Sequence, residues 1–470
     1  MDAPLYYLSL SETQALLQSR ELTAEELVKS YLQRIGQLDG KLHAYITVDD
    51  EQALEQAARI DALRKEGEPL GSLAGIPLAV KDSIPTQGIR TTANSRLLAD
   101  WMPEKDAAPV AALKQAGAII LGKTNLNEFG WSVPSDDDLA PVPCNPWNTE
   151  LAAIGSSSGS GVATAAGMCC GSLGTDGGGS TRLPASQMNL IGIKPTHGLV
   201  SRLGMDNSSI SEICPLARTT KDAALLLEVM ARYEPDDVQS WPLPAPVYAS
   251  HLESSVKGWQ VGMPRRYIES APVAPEILSA FEEGLRELAR LGLQIVDVEV
   301  PGLAEARVAN FIILNAEAYA EHVASLRKYP EKYGRSAYLY HLTGAFLSAA
   351  DLQHAREFAR RMRHILEGVL QEMRLLALPT SVHVSSEAAR RPEAHHSGLG
   401  AAFTSPFNAT GHPAISIPCG LSSLGLPVGM QLVGRLYAEM DLFQVSYAYE
   451  QATRWHILHP GLDTGVLSAS

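Results

Sequence analysis

The chain has 470 residues, 45% hydrophobic and 19% charged, and a formal net charge of −14 from 38 basic and 52 acidic residues. This is globular composition with material for a large core, and its acidity leaves no electrostatic footprint for nucleic acid. No apolar run reaches the ~20 residues of a membrane span, the first residues show no secretory pattern, and five cysteines without a C-x-x-C spacing read as reduced thiols of a cytoplasmic protein, not as disulfides or a metal site.

In chain order, the first 65 residues predict helices. Ser11 with Gln14 and Thr23 with Glu26 have capping-box spacing ahead of apolar-periodic runs. GIPLAV (75–80) is a short buried strand that ends at Lys81-Asp82. APVAALKQAGAIILGKTN (108–125) reads as helix, glycine stop and buried strand, and such alternation predicts a wound α/β sheet. Residues 155–180 are rich in Gly and Ser, but the apolar VATAAGMCCGSLG inside them is no flexible tether. Helices dominate 220–375, where KDAALLLEVMARY and SAFEEGLRELARLG carry amphipathic periods. An exposed loop at 385–398, two buried strands (HPAISIPCG and LPVGMQLVG) and a helix over 439–453 complete the pattern. No boundary divides the chain, so residues 1–470 are expected to form one domain. Its regions are N-terminal helices (8–65), a Gly/Ser-rich core (72–220), a helix-rich region (225–375) and C-terminal strands with a helix (376–465).

Three motifs compete for the chemistry. Gly117 to Thr124 matches the letters of a phosphate-cradling P-loop. Its middle residues, Ala-Ile-Ile-Leu, form a strand-like run that buries itself instead of turning N–H groups toward a phosphate, which argues against nucleotide binding. Gly155-Ser-Ser157-Ser-Gly159 fits the nucleophile elbow of Ser-His-Asp α/β-hydrolases, with Ser157 as nucleophile. The third stretch, GTDGGGSTRLP (174–184), discards three side chains ahead of Ser180. Glycines there let a substrate carbonyl approach and let consecutive N–H groups form an oxyanion hole.

The run from Gly155 to Arg202, GSSSGSGVATAAGMCCGSLGTDGGGSTRLPASQMNLIGIKPTHGLVSR, resembles the signature of the amidase signature family. GIPLAVKD, GAIILGKTNLNEF, PVPCNPWN, FNATGHPAISIPCG and LPVGMQLVGR extend the resemblance over nearly the whole chain, with 225–370 contributing least. The resemblance implies a single large α/β domain whose central mixed, mostly parallel sheet is flanked by helices on both faces. It also implies a Ser–cisSer–Lys triad. The lysine maps onto Lys81, the serine that follows a cis peptide bond onto Ser156, and the nucleophile onto Ser180. The implied oxyanion donors are the N–H groups of Gly177, Gly178, Gly179 and Ser180. Ile154 and Ser158 stand where glycines are usual, and Gly177 replaces a threonine.

The implied reaction is hydrolysis of a carboxamide C–N bond through a seryl acyl-enzyme, with release of ammonia or an amine and no cofactor or metal. It needs a neutral Lys81, although a free lysine titrates near ~10.4. Burial lowers a lysine by up to ~3–5 units. Asp82 is expected to point away, since strand neighbours face opposite sides. Asp176 and Arg182 are expected to brace the nucleophile loop, and parts of 130–138 and 186–189, Trp131 and Met188 among them, to line the pocket. Family members that serve as glutaminase subunits of tRNA-dependent amidotransferases carry an acid where this chain has Ala401. The expectation is therefore a small-molecule amide substrate, with no nucleic acid, no membrane and room for a homodimer. The alternatives are the Ser157 hydrolase and the glutaminase subunit.

Overall fold

The computed structural model describes residues 4–205, 208–384 and 399–462. Helices come first: α1 (Leu10–Ser19), α2 (Ala24–Leu42) and α3 (Asp50–Glu66), with strand β1 (Tyr45–Val48) between the last two. Thr23 and Glu26 cap α2 as expected, but the box before α1 is Ser9 with Glu12. The Glu12 carboxylate accepts the Ser9 N–H at 2.8 Å, while Ser11 is already inside the helix and donates to Asp222 Oδ1.

The core follows as β2 (Pro77–Lys81), α4 (Ala108–Gln115), β3 (Ile119–Thr124), the β4 (Cys144–Asn145) and β5 (Asn148–Ala152) ribbon, α5 (Ser158–Ala165), β6 (Gly171–Asp176), α6 (Arg182–Gln187), β7 (Ile191–Lys194), β8 (Glu212–Ala217) and α7 (Thr220–Met230). The helix-rich region supplies two strands that its periodicity hid, β9 (Gln260–Met263) and β10 (Gln294–Asp297), with α8 (Arg265–Glu269) and α9 (Pro275–Arg290) between them. Then come α10 (Leu303–Lys328), α11 (Arg335–Thr343) and α12 (Ala349–Glu372). The chain returns through β11 (Leu375–Pro379), α13 (Ser405–Ala409), β12 (Ala414–Leu421), β13 (Pro427–Gly434) and α14 (Glu439–Ala452). The loop expected at 385–398 lies outside the described residues.

Eleven strands form one sheet in the order β1-β3-β2-β6-β8-β7-β12-β13-β11-β9-β10, so both halves of the chain share a single α/β domain. The sheet is mixed, as expected, but its balance is antiparallel. Only β2–β3, β2–β6, β9–β10 and β9–β11 pair in parallel. The physical reason is connectivity. Parallel neighbours need a crossover, which α4 provides between β2 and β3, and α8 and α9 between β9 and β10. β12 and β13 are joined by the short link 422–426 and can only return antiparallel. β2 and β3 are buried at every position, as strands covered by helices on both faces are. α9 shows how a face is chosen: Ile277, Phe281, Leu285 and Leu288 fall on one helical stripe and are all buried.

α5 sets the site. All eight of its residues, Ser158 to Ala165, are buried and small. A Cβ on Gly159 would come 2.4 Å from Ala44 O and Asn125 N, and one on Gly161 2.7 Å from Met188 Sδ. Backbone this close to its neighbours fixes the position of the helix start, where Ser156 and Ser157 sit. Among the described residues no helix is long and apolar enough to cross a membrane.

Candidate active site

β2, β3 and β6 run parallel, so Lys81, Thr124 and Asp176 end on one edge of the sheet. In α/β sheets that carboxyl edge is where ligands bind. Here it opens into a cavity of about 410 Å³ whose walls include Ser156, Thr175, Gly177, Gly178 and Ser180.

Lys81 is fully buried. Its Nζ lies 2.8 Å from Ser156 Oγ, 3.0 Å from Ser157 Oγ and 2.7 Å from Thr175 Oγ1. The peptide bond between Gly155 and Ser156 is cis. Gly130 passes over this group: a Cβ there would lie 3.4 Å from Ser156 Oγ and 3.7 Å from Lys81 Nζ. Ser180 shares the cavity with Ser156, but among the described residues no hydrogen bond joins their hydroxyls. No motif marks Thr175 as a partner of the lysine, although it stands inside the GTDGGGS run.

Ser157 behaves differently from an elbow nucleophile. Its hydroxyl donates to Thr175 O at 3.1 Å and accepts from Thr175 N at 3.1 Å. Its side chain is fully buried and does not line the cavity. It fastens β6 to the start of α5.

The glycine loop is held from outside. Asn310 Nδ2 on α10 donates to Gly177 O at 3.0 Å, and Thr404 Oγ1 donates to Gly178 O at 2.6 Å. In a trans peptide the N–H points opposite to the C=O, so the Gly178 N–H is directed away from Asn310. The Gly179 N–H, expected as an oxyanion donor, instead donates to Asp176 Oδ1 at 2.7 Å. The reason is the Asp176 carboxylate directly beneath the turn, which that peptide plane faces. Gly177, Gly178 and Ser180 keep their place on the cavity wall.

Asp176 and Arg182 are both fully buried and form a fork, with Nη2 to Oδ1 at 2.8 Å and Nε to Oδ2 at 2.9 Å. Arg182 also donates to Gln431 Oε1 and Asn408 Oδ1, both at 2.6 Å. Burial pushes the Asp176 carboxyl up, but Arg182 and Asn408 outweigh it and hold it at about 2. Asp82 turns away from Lys81 and accepts from Thr92 N at 2.9 Å and from the Thr92 hydroxyl. The P-loop lysine, Lys123, is a fully buried strand residue whose Nζ donates to Thr86 Oγ1 at 2.8 Å, Thr91 Oγ1 at 2.9 Å and Ile84 O. Burial lowers it to about 7 against the opposing pull of Asp82. It ties down the loop after Lys81 and meets no phosphate-shaped turn.

Trp131 lines the cavity, as do Phe129, the last residue of the GAIILGKTNLNEF run, and His322 and His341, which no motif marked. Met188 does not: it packs against α5 in the core. Ala401 lines the cavity with no acid in its place.

The family described as Amidase matches residues 26–443. The chain is 39% identical to a Moorella thermoacetica protein named as one of the subunits of glutamyl-tRNA(Gln) amidotransferase, over 97% of this chain and 99% of that protein. Its fold is similar to that of a bacterial aryl acylamidase described as belonging to the amidase signature enzymes (TM-score 0.87, 25% identity, 97% of this chain and 99% of that one). It is also similar to a chain in a structure described as a vestigial protein complex that reveals the origins of an s-triazine catabolic enzyme (TM-score 0.86, 27% identity, 94% and 98% covered). The name of the Moorella relative overturns one expectation. A small-molecule amide substrate with no nucleic acid does not agree with relatives named as one subunit of an enzyme for a tRNA. From the family match, the relatives and the fold together, this chain belongs to the amidase signature family of hydrolases.

Proposed function

We propose that the chain is the amide-cleaving subunit of an amidotransferase-type enzyme, with Ser180 as nucleophile, Ser156 as proton relay and Lys81 as base. The observation that carries this reading is the buried Lys81 amine 2.8 Å from Ser156 Oγ, beside the cavity that Ser180 lines. Neutral Lys81 takes the Ser156 proton as Ser156 takes that of Ser180. Ser180 Oγ bonds to the amide carbon, and the carbonyl electrons move to an oxygen held by the N–H groups of Gly177, Gly178 and Ser180. The oxyanion collapses, the C–N bond breaks and the relay returns a proton to the leaving nitrogen, which departs as ammonia. Water then repeats the sequence on the acyl-enzyme.

Identity of 39% across 97% of the chain to a protein named as part of an amidotransferase supports a role beside partner subunits. Free thiols at all five cysteines fit a cytoplasmic setting. Ala401 favours a second reading, in which the carboxamide is not glutamine, because no acid stands there to grip an α-ammonium. Ammonia release from glutamine and from a panel of other primary carboxamides separates the two. Ser180→Ala and Lys81→Ala are each expected to lower kcat by at least ~10³-fold, and the wild-type rate to rise toward mildly alkaline pH as the base loses its proton. Ser157→Ala is expected to retain measurable turnover; a dead Ser157→Ala beside an active Lys81→Ala overturns the assignment.

A further inference from the structure

The cavity wall beyond the catalytic serines is built from rings. The Phe129 ring meets His322 edge to face at 4.4 Å and His341 at 5.7 Å, and the two imidazoles meet at 4.3 Å. Phe129 is the chain neighbour of Gly130, which covers Ser156 and Lys81. One residue therefore links the imidazole pair to the triad.

The hydrogen bonding of His341 fixes its tautomer. Nδ1 lies 2.7 Å from Ala337 O, one turn back in α11. A carbonyl only accepts, so Nδ1 carries the proton. Burial holds this imidazole neutral down to about 4, and Nε2 is then an acceptor, with no hydrogen-bond donor to it among the described residues. His322, whose Nδ1 sits 2.9 Å from Tyr333 Oη, is lowered by burial to about 3 and is neutral as well. A neutral acceptor on this wall is matched by an N–H or O–H donor and by nothing that only accepts. Glu317 and Glu321 line the same cavity and add oxygen acceptors on α10.

We propose that His341 is a specificity-determining residue that accepts a hydrogen bond from an N–H group on the substrate beyond the scissile amide. It rests on the Ser180 reading above only for which carboxamide is cleaved. The donor is a second amide or urea N–H, or an ammonium, and the two sources are separable by experiment.

The test compares matched substrates. Levulinamide replaces one –NH₂ of succinamide by –CH₃ at constant shape, and glutaramic acid is glutamine without its α-amino group. Arg202, also in the cavity wall, sees the same carboxylate in both members of the second pair. Wild type is expected to favour the N–H member of at least one pair by about tenfold in kcat/KM, mainly through KM; which pair responds tells amide N–H from ammonium. His341→Phe and His341→Leu are expected to reduce the preference to below about twofold, read as the ratio of kcat/KM within each pair. No preference in wild type for either pair overturns the proposal without any variant, and so does an undiminished preference in whichever His341 variant gives a cooperative melt. Calorimetric titration of Ser180→Ala with the same pairs keeps the two readings apart: if that variant still releases ammonia the nucleophile assignment fails, while the binding preference stands or falls separately.

Discussion

Asp176 shows how much the nucleophile loop depends on a single charge. Its carboxylate receives the Gly179 N–H, the Thr181 N–H and the Arg182 fork. Asp176→Asn keeps the shape but leaves the Arg182 guanidinium buried without its counter-ion, a loss of about 3–5 kcal/mol, read as a lower denaturation midpoint in urea. The pH dependence has a definite sign. A carboxyl held at about 2 when folded and titrating near ~3.9 when unfolded adds stability that is complete above pH 4. That stability, about 2 kcal/mol, drains away as pH falls toward 2. In Asp176→Asn that part of the acid limb is expected to flatten; an unchanged acid limb removes Asp176 as its source. The proposed triad comes from the family resemblance, whose letters run unbroken between Ser156 and Ser180, and the structure sets Lys81 beside Ser156. The direction of the Gly179 N–H was not legible in those letters. A peptide plane turns on what lies beneath it, and the same holds for Ser157, whose letters read as a nucleophile until its proton is seen to go to Thr175 O.

Between elements, the pocket loop and α11 meet at two carboxyls. Glu128 accepts the Gly334 N–H at 2.8 Å and Ser95 Oγ at 2.5 Å. Asp138 accepts the Ser135 N–H, and a Cβ on Gly334 would come within 2.8 Å of Glu128 and 3.1 Å of Asp138. Burial raises Glu128 to about 7; burial and the neighbouring Glu128 charge raise Asp138 to about 7. Groups raised in the folded state stabilise while protonated, so this junction is strongest below about pH 4 and weakens as pH climbs through 7. Glu128→Gln keeps an acceptor for Gly334 and removes one charge. It is expected to raise the melting temperature at pH 8 relative to wild type and to reduce the fall between pH 5 and 8, leaving the shares owed to Asp138 and to Glu450, which burial also lifts to about 7. A Glu128→Gln protein with the wild-type slope places the effect elsewhere. Helix positions were well marked by caps and periods, as at Thr23 and along α9. A carboxyl pair from residues 128 and 138 packed on Gly334 is a long-range contact that no local pattern encodes.

For the whole molecule, the sheet was legible as α/β because its strands are short, apolar and separated by helices. Its antiparallel balance was not, since pairing order is decided by links such as 422–426 and by partners far along the chain. The same long-range closure positions the chemistry. Gly177 O is held by Asn310, 133 residues away, and Gly178 O by Thr404, 226 residues away. The two contacts predict different losses. Asn310 fixes the peptide plane whose N–H belongs to Gly178, a proposed oxyanion donor. Thr404 fixes the next plane, whose N–H is already given to Asp176. Asn310→Leu is therefore expected to lower kcat about 10–100-fold with KM within twofold, because the donor loses its aim only where charge develops in the transition state. Thr404→Val orphans a carbonyl at a cost of about 1–3 kcal/mol in stability, yet changes kcat by less than Asn310→Leu does. Steady-state ammonia release and urea denaturation on both variants decide it, with Tyr267→Phe, which loses only the bond to Ala402 O, as a control on the same C-terminal segment. If Thr404→Val impairs turnover as severely as Asn310→Leu while Tyr267→Phe is normal, the oxyanion sits on the Gly179 N–H after all, and Asp176 must release it when substrate arrives.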